Sequence, residues 1–161
     1  MNLCNIVTSS TEDEHVILEA IKQLTDIDLN KEESIIEMCL IVKSECDKGL
    51  AEKVLATQNN GYETLMKIAE KSKSINVLKE VIAALASLLD SNPDPFDANG
   101  FQMIVDVLTN QNNTDVIGSS LDMTLAVCVR HEQNRQNLVH NKVLGMFYRN
   151  SQKVFCDVIR N

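Results

Sequence analysis

Glycine and proline are scarce in this chain. Its 161 residues include five Gly and two Pro, about 4% of the sequence, whereas the two together average about 12% of protein sequences. All-β sandwiches and barrels use these residues in many tight turns, and collagen-like or Pro/Gly-rich disordered chains need far more of both. Because 44% of the residues are hydrophobic, wholesale disorder is excluded as well. We therefore expect a folded, helical protein.

Long apolar runs and dense basic clusters are also absent. No run approaches the roughly 20 apolar residues that span a bilayer, and the N-terminal segment carries acids where a signal peptide carries bases. The 15 Lys and Arg against 23 Asp and Glu leave a formal charge of -8, which disfavours polyanionic partners such as DNA or RNA. We expect a soluble protein of the cytoplasm and/or the nucleus, with neither a membrane nor a nucleic acid as its partner.

Motifs for catalysis and cofactor binding are missing too. No two glycines are closer than 12 residues, which excludes the Gly-rich loops that bind nucleotide phosphates. Acids such as Asp94 and Asp97 lie at helix joints, where the helix dipole favours them. The cysteines are odd in number and widely spaced, which indicates reduced thiols; they are Cys4, Cys39, Cys46, Cys128 and Cys156. We expect neither enzyme activity nor a cofactor.

What is present is a series of apolar helical patterns. Thr11-Glu12-Asp13-Glu14 is a Thr-x-x-Glu capping box and opens an apolar stripe that ends near Ile27. Asn30 is placed to cap a second helix, which is apolar nearly all round up to Cys46 and is therefore expected to be buried between neighbours. A shorter helix follows from Asp47.

The next helices end at a joint that contains both prolines. Gly61 opens a helix of medium length, and Ser74 or Asn76 caps the long apolar helix that comes after it. Pro93 and Pro95 lie in the joint beyond that long helix, where a missing amide is harmless and a fixed φ favours the start of a new helix.

The cycle of helices then repeats. Phe96 to Asn99 predict a brief turn of helix, Gly100 opens the next helix, and Thr114 caps another long apolar one. Gly61 and Gly100 are 39 residues apart, and apolar residues follow each glycine at offsets of 4, 7 and 8. These residues are Leu65, Ile68 and Ala69 after the first glycine, and Ile104, Val107 and Leu108 after the second.

A period near 40 residues, with a short helix, a Gly turn, a medium helix and a long apolar helix, is typical of armadillo-type repeats. We predict an all-α, armadillo/HEAT-type right-handed superhelical solenoid of about three to four repeats that stack into one core. Residues 1–10 form an N-terminal tail and residues 11–161 the repeat domain, with units at 11–46, 47–91, 92–130 and 131–161. In the last unit, which is incomplete or capping, Lys142 stands where Gly is expected, and Arg149 and Asn150 occupy later apolar offsets.

Several motifs resemble armadillo-repeat proteins. Glu132-Gln133-Asn134-Arg135-Gln136-Asn137-Leu138-Val139 is similar to the joint that opens many armadillo repeats. Together with Cys128, Asp97-Ala98-Asn99-Gly100 and Leu55-Ala56-Thr57-Gln58, it resembles an inner portion of the armadillo repeat-containing protein six family, from about Glu33 to Leu144. Members of that family are longer and continue with further repeats. The resemblance implies a protein-interaction surface for a protein or peptide partner, with no catalytic residues.

The resemblance also places the peptide-binding positions of armadillo proteins on this chain. In importin α, Trp and Asn side chains of the third helices line a concave groove. The Asn positions match Ser87 and Ala126, the first Trp position matches Ala83, and the chain contains no Trp. Importin-like binding of a basic nuclear localisation peptide is therefore disfavoured, although the acidic net charge suits a basic partner.

We predict a binding surface on the long third helices of the stacked units. Their faces that do not pack inward line a concave groove, and residues four apart project into it together. Small residues in the middle of each row leave a smooth floor, suited to a helix or chain that packs closely. The two rows are Lys79, Ala83 and Ser87, and Asp122, Ala126 and Arg130. A merely solvated helix face is the alternative.

Two other functions stay open. Cys128 and His131 are three residues apart and, with His140, could hold a metal or form a thiol-imidazole site, although a buried Cys beside a helix-end His more often has a structural role. Alternatively, the chain is a structural fragment of a longer solenoid, whose apolar ends cause self-association.

Overall fold

The computed structural model describes the backbone of residues 10–129, 131–140 and 142–160, and the side chains of residues 16–129, 131–140, 142–150 and 152. This part of the chain consists of helices joined by short turns, with no strand. The helices are α1 (Ser10–Asp26), α2 (Glu32–Cys46), α3 (Leu50–Gln58), α4 (Gly61–Lys71), α5 (Ile75–Leu89), α6 (Ala98–Asn110), α7 (Thr114–Cys128), α8 (Glu132–His140) and α9 (Val143–Arg160).

The N-terminal predictions fall largely on undescribed residues. Residues 1–9 of the predicted tail lie outside the described residues, and so do the side chains of the Thr11 capping box. Helix α1 begins at Ser10, and the predicted tail of residues 1–10 stays a prediction. The boundaries predicted between the repeat units stay predictions.

The helices stack in two layers. Helices α1, α4, α6 and α9 follow one another in the first layer, whereas α2, α5 and α7 form the second. Helices of the two layers pack on each other as the pairs α1 with α2, α4 with α5, and α6 with α7, and the short helices α3 and α8 pack at the joints. Because each long helix contacts its neighbours along the chain, the arrangement is a solenoid. The predicted all-α solenoid is therefore confirmed.

Helix α5 lies at the centre of the hydrophobic core. Ile82, Leu85, Leu88 and Leu89 are each 0% exposed, because α2, α4 and α7 all pack against this helix. Burying one such side chain stabilises a protein by about 1.5–3 kcal/mol relative to leaving it in water. The stacked units thus share one continuous core, which none of them could form alone.

Helix α2 is less buried than its sequence predicts. Ile35, Val42 and Cys46 are each 0% exposed, but Leu40 is 49% exposed. Helices α1, α3 and α5 pack against α2, and Leu40 lies on the face that these neighbours leave open. Helix α2 thus lies between neighbours, as expected, but its face at Leu40 stays open to solvent.

Gly61 and Gly100 are required by close packing rather than by turns. Neither has a positive φ, and the left-handed residue before α4 is Asn60, with a φ of 61°. A Cβ atom at Gly61 would lie 2.7 Å from the backbone oxygen of Ala56, and one at Gly100 would lie 2.8 Å from the hydroxyl of Tyr62. Both glycines lie at the predicted joints, at positions that leave no space for a side chain.

Side chains cap helices α5, α6 and α7. Ser74, Asp97 and Asn113 each accept hydrogen bonds from backbone N–H groups in the first turn of α5, α6 and α7, respectively. Of the two candidates proposed for α5, Ser74 is thus the cap. Thr114 is the first residue of α7 rather than its cap, and Asn30 bonds to Asp28 instead of capping α2. An Asn side chain one residue earlier competes well for the N-cap position of α7.

The brief helical turn predicted before Gly100 is not formed. Phe96 donates its N–H to the carbonyl of Pro93 at 3.0 Å, which closes a turn. Asp97 then has extended backbone angles, with φ at -122° and ψ at -172°, and α6 begins at Ala98. An N-cap residue needs such a non-helical backbone, so capping by Asp97 separates the turn from the helix.

The last unit shifts the repeat register by one residue. Lys142 has a φ of 57° and directly precedes α9, as Asn60 precedes α4. Val143, which is 0% exposed, therefore takes the position of Gly100. The predicted placement of Lys142 at the glycine position is therefore off by one residue, because Lys142 corresponds to Asn60 instead.

This register also changes which residues of α9 point inward. Val143, Met146, Phe147 and Asn150 are the buried or half-buried positions in the first two turns, whereas Arg149 is exposed. The Nδ2 group of Asn150 donates to the carbonyl of Leu108 in α6 at 2.8 Å. Asn150 is therefore a polar side chain at an inward position of the α6–α9 contact, satisfied by a carbonyl at the end of α6.

Candidate protein-interaction surface

The described residues of the predicted rows are half-buried or exposed positions of the second-layer helices α5 and α7. Lys79, Ala83 and Ser87 of α5 are all half-buried, Asp122 of α7 is exposed, and Ala126 is half-buried. Because α5 and α7 pack side by side and repeat after 39 residues, Ala83 corresponds to Asp122 and Ser87 to Ala126. Arg130, the last residue of the second row, lies outside the described residues. The role of these residues in binding stays a prediction.

Helix α2 adds a third row that the sequence analysis missed. Ile36, Leu40 and Ser44 are spaced by four residues and lie 43 residues before Lys79, Ala83 and Ser87. Leu40 and Ser44 are exposed and Ile36 is half-buried. The four-residue spacing was the available signal, but the many apolar residues of α2 masked it. The second-layer face is hereafter defined as Ile36, Leu40, Ser44, Lys79, Ala83, Ser87, Gly118, Asp122 and Ala126.

The positive charge on the second-layer face is offset by nearby carboxylates. The Nζ atom of Lys79 lies 3.5 Å from a carboxylate oxygen of Glu80 and 4.0 Å from one of Asp115. Glu37 and Asp122 are further exposed acids on α2 and α7. Since partly exposed ion pairs contribute only about 0–1 kcal/mol, a ligand with positive charge can displace Lys79 from its partners.

The surroundings of Cys128 and His131, the candidate thiol-imidazole pair, favour a structural role for both residues. His131 Nδ1 accepts the N–H of Asn134 at 3.3 Å in the first turn of α8, and its Nε2 lies 3.9 Å from a carboxylate oxygen of Asp94. Burial raises the pKa of the Cys128 thiol above 9.0, with Arg135 acting in the opposite direction. A raised thiol pKa lowers the fraction of reactive thiolate.

No metal centre is formed by the side chains that the structure describes. Among them, no group of three or more His, Cys, Asp or Glu residues lies close enough to hold an ion. His140, the third member of the candidate site, is exposed at the end of α8. The structure therefore gives no support to the metal alternative.

The resemblance motif instead ties α8 to the end of α7. Asn134 is 4% exposed, and its Nδ2 group donates to the carbonyl of Val127 at 2.9 Å. Arg135 donates from Nη1 to the carbonyl of Cys128 at 2.9 Å and pairs with Glu132. These carbonyls belong to the last turn of α7, which has no intrahelical partners for them. The motif thus caps one helix while it starts the next.

Two layers of stacked helices, joined by such capped turns, define an armadillo-like α-solenoid. Among curated proteins, the chain is 31% identical over 142 residues to armadillo repeat-containing protein 6 of Homo sapiens, which covers 85% of this chain and 28% of that protein. It is 28% identical over 135 residues to the armadillo repeat-containing protein 6 homolog of Drosophila melanogaster, which covers 80% and 29%, respectively. The predicted resemblance is confirmed.

The chain spans less than a third of the length of these relatives. No protein-family model and no solved structure matches it. Within the part of the chain that the structure describes, none of the helices is both long enough and apolar enough to cross a bilayer.

Proposed function

We propose that this chain is a non-enzymatic interaction module of the cytoplasm and/or nucleus, which binds a protein segment along the second-layer face. The observation that carries the proposal is the set of small side chains on two packed helices, of which Ser87 and Ala126 occupy the same repeat position. Ala83 and Ser87 of α5 lie beside Gly118 and Ala126 of α7, and all four are half-buried. In armadillo proteins that bind peptides, the corresponding faces line the concave groove.

The side chains around this floor indicate the kind of segment that fits. Small residues let a backbone or a helix approach closely, and Leu40, 49% exposed, offers an apolar contact at the α2 end. The exposed acids Glu37, Asp115 and Asp122 favour a segment with basic residues. The lack of Trp argues against the side-chain ladders of importin α.

Substitution of a large charged side chain into the middle of the second-layer face tests this proposal. We expect Ala83→Arg and Ala126→Arg each to weaken binding of the captured partner at least about tenfold, because the long side chain fills the space above the floor and repels basic residues. Lys79→Glu should strengthen binding of a basic segment. Binding is measured by isothermal titration with the partner identified by affinity capture.

Ala51→Arg is the matched control, since Ala51 is exposed on α3, outside the second-layer face. Circular dichroism and thermal unfolding check that each variant is folded. If Ala83→Arg and Ala126→Arg bound as tightly as Ala51→Arg, the second-layer face would not be the binding surface.

A further inference from the structure

A cavity of about 330 Å³ lies between α4 and α6 of the first layer, beside the first turn of α5. Its volume is at the lower end of the range for ligand-binding cavities, about 300–1,000 Å³. Four buried apolar side chains form its floor: Ala69 of α4, Leu78 of α5, and Met103 and Val107 of α6. A floor of this kind can contact the aliphatic part of one long side chain.

The rim of the cavity is negatively charged. Glu70 of α4 and Asp106 of α6 are exposed acids that line it, and the other polar residues around it carry uncharged amide or hydroxyl groups. None of the ion pairs among the described side chains involves either acid. Both carboxylates are therefore available to a cation.

Two helix ends add to this negative potential. The last turns of α4 and α6 line the cavity, and their carbonyl groups without intrahelical partners carry partial negative charge. Helix α6 has no basic residue in its last turn, and Lys71 of α4 lines the groove between α1 and α4 instead. The complementary occupant has an apolar stem and a positively charged end, as Lys and Arg side chains do.

We propose that this cavity binds an arginine side chain of a partner protein, with its stem on the apolar floor and its guanidinium group between Glu70 and Asp106. Arginine fits better than lysine, because its five N–H donors match a rim of carboxylate and amide oxygens. None of the residues that line the cavity belongs to the second-layer face, so this site is separate from the surface proposed above.

The neighbouring grooves indicate which residues flank this arginine. Lys67 of α4 lines the groove between α1 and α4, and Arg149 of α9 lines the groove between α6 and α9. Both occupy the repeat position of Asp106, which is the sixth residue after Gly100. This position is therefore basic, acidic and basic on three successive helices of the first layer. A partner segment with complementary charges carries an acid on each side of its arginine.

The spacing of the helices sets the spacing of these charges. Packed helices lie about 8–10 Å apart, and three residues of an extended chain span about 10 Å. We therefore expect the segment to have an acid three positions before the arginine and another three positions after it.

The acetylated and amidated peptide Glu-Ala-Ala-Arg-Ala-Ala-Glu tests the site by NMR titration of the isotope-labelled full chain. We expect saturable shifts at the backbone amides of Ala69, Glu70 and Met103, with a dissociation constant of about 1 mM or below. Citrulline in place of the arginine keeps the shape but removes the charge, and should weaken binding about threefold or more. The charge-inverted peptide Arg-Ala-Ala-Glu-Ala-Ala-Arg should not shift these amides.

Substitutions at the rim locate the contact. Asp106→Lys gives α6 the charge of its counterpart Lys67 and should weaken binding of the arginine peptide at least about tenfold, whereas Glu70→Gln should weaken it about threefold. Glu33→Gln is the matched control, because Glu33 is an exposed acid of α2 outside the cavity, and it should leave the dissociation constant unchanged. Circular dichroism checks that each variant is folded.

A compensating exchange shows whether the contact is direct. The peptide Glu-Ala-Ala-Glu-Ala-Ala-Glu should bind Asp106→Lys more tightly than it binds the unaltered chain. Ala83→Arg, on the second-layer face, should leave binding of the arginine peptide unchanged, which separates this site from the surface proposed above. Three results would each overturn the inference: no saturable shifts at the cavity, equal affinity for the arginine and citrulline peptides, or binding that Ala83→Arg weakens and Asp106→Lys does not.

Discussion

At the scale of single residues, the glycines differ in how closely their neighbours pack around them. The residues at Gly61 and Gly100 have no room for a Cβ atom, whereas nothing lies within 4 Å of a Cβ placed at Gly118 or Gly145. The same residue type is thus required at the first two positions and replaceable at the other two. Only the neighbours in space distinguish these cases.

Gly100→Ala should destabilise the protein by about 1–3 kcal/mol, as overpacking of a core typically does. The added methyl group would overlap the ring of Phe96 and lie 2.8 Å from the hydroxyl of Tyr62. That hydroxyl donates to Asp97 at 2.9 Å, and Asp97 caps α6, so its displacement also weakens the cap. Urea unfolding followed by circular dichroism measures the loss.

Gly118→Ala is the control for this substitution. It lies inside α7, where alanine should stabilise the helix by about 0.5–1 kcal/mol relative to glycine. Equal effects of the two substitutions would show that Gly100 is not held by close packing.

At the scale of helices, the turns between elements depend on a few side chains that serve two neighbours. Asp97 caps α6 and accepts the Tyr62 hydroxyl from α4. Asn134 and Arg135 begin α8 and bind carbonyls in the last turn of α7. The residues that carry the armadillo resemblance therefore have a structural role, because they connect α7 to α8.

Asn134→Ala should cost about 1–3 kcal/mol of unfolding free energy. The substitution leaves the carbonyl of Val127 without its donor in a site that excludes water, and a buried unsatisfied group carries a penalty of this size. Urea unfolding is again the measurement, with near-neutral behaviour expected for Gln133→Ala.

Gln133 is the neighbouring control because its side chain is exposed and bonds to the nearby Asn137. Exposed substitutions of this kind usually change stability by less than about 0.5 kcal/mol. A loss for Asn134→Ala no larger than that for Gln133→Ala would mean that Val127 finds another donor.

At the scale of the whole molecule, burial of titratable groups in the core makes the free energy of unfolding depend on pH in the alkaline range. Burial raises the pKa of Cys39 and of Cys46 from 9.0 to about 12, since the thiolate is poorly solvated inside the protein. Burial also raises the pKa of Tyr62 above its usual value of 10.0. Between pH 9 and 12 the folded chain therefore keeps protons that the unfolded chain releases.

The unfolding free energy should be constant up to about pH 9 and fall above it. Each thiol contributes a slope of up to about 1.4 kcal/mol per pH unit, because the unfolded state binds fewer protons there. Urea unfolding at pH 8, 9 and 10 measures the slope. Cys39→Val should remove one thiol's share of it, and an unchanged slope in that variant would contradict the assignment.

The sequence predicted the elements well because their causes are local. Apolar residues at three- and four-residue steps select a helix wherever it lies, so α1 to α7 were anticipated, and α5 was correctly expected to be a long apolar helix. The repeat of 39 residues identified α5 and α7 as equivalent helices, and with them Ala83, Ser87 and Ala126 as residues of one surface. The function of that surface is not encoded in the pattern.

The wrong predictions concern competition between neighbouring residues. Thr114 and Asn113 are both good N-caps, and the local sequence does not decide which of them captures the helix. Lys142 was aligned with the glycines because the sequence does not show which residue of the turn takes the left-handed backbone conformation. The backbone of the folded chain resolves both cases, since only one arrangement satisfies the turn and the packing together.

By itself the sequence determined the fold class, the helix order and the stacking period, because helix formation follows from the spacing of apolar side chains along one segment. The tertiary structure alone decided which apolar faces are closed, since burial depends on residues far away in the chain. Ile82, Cys39 and Leu121 occupy the same place in the repeat, yet the first two are buried and Leu121 is 41% exposed, because α5 covers this face of α2, α7 covers it on α5, and none of the described helices covers it on α7.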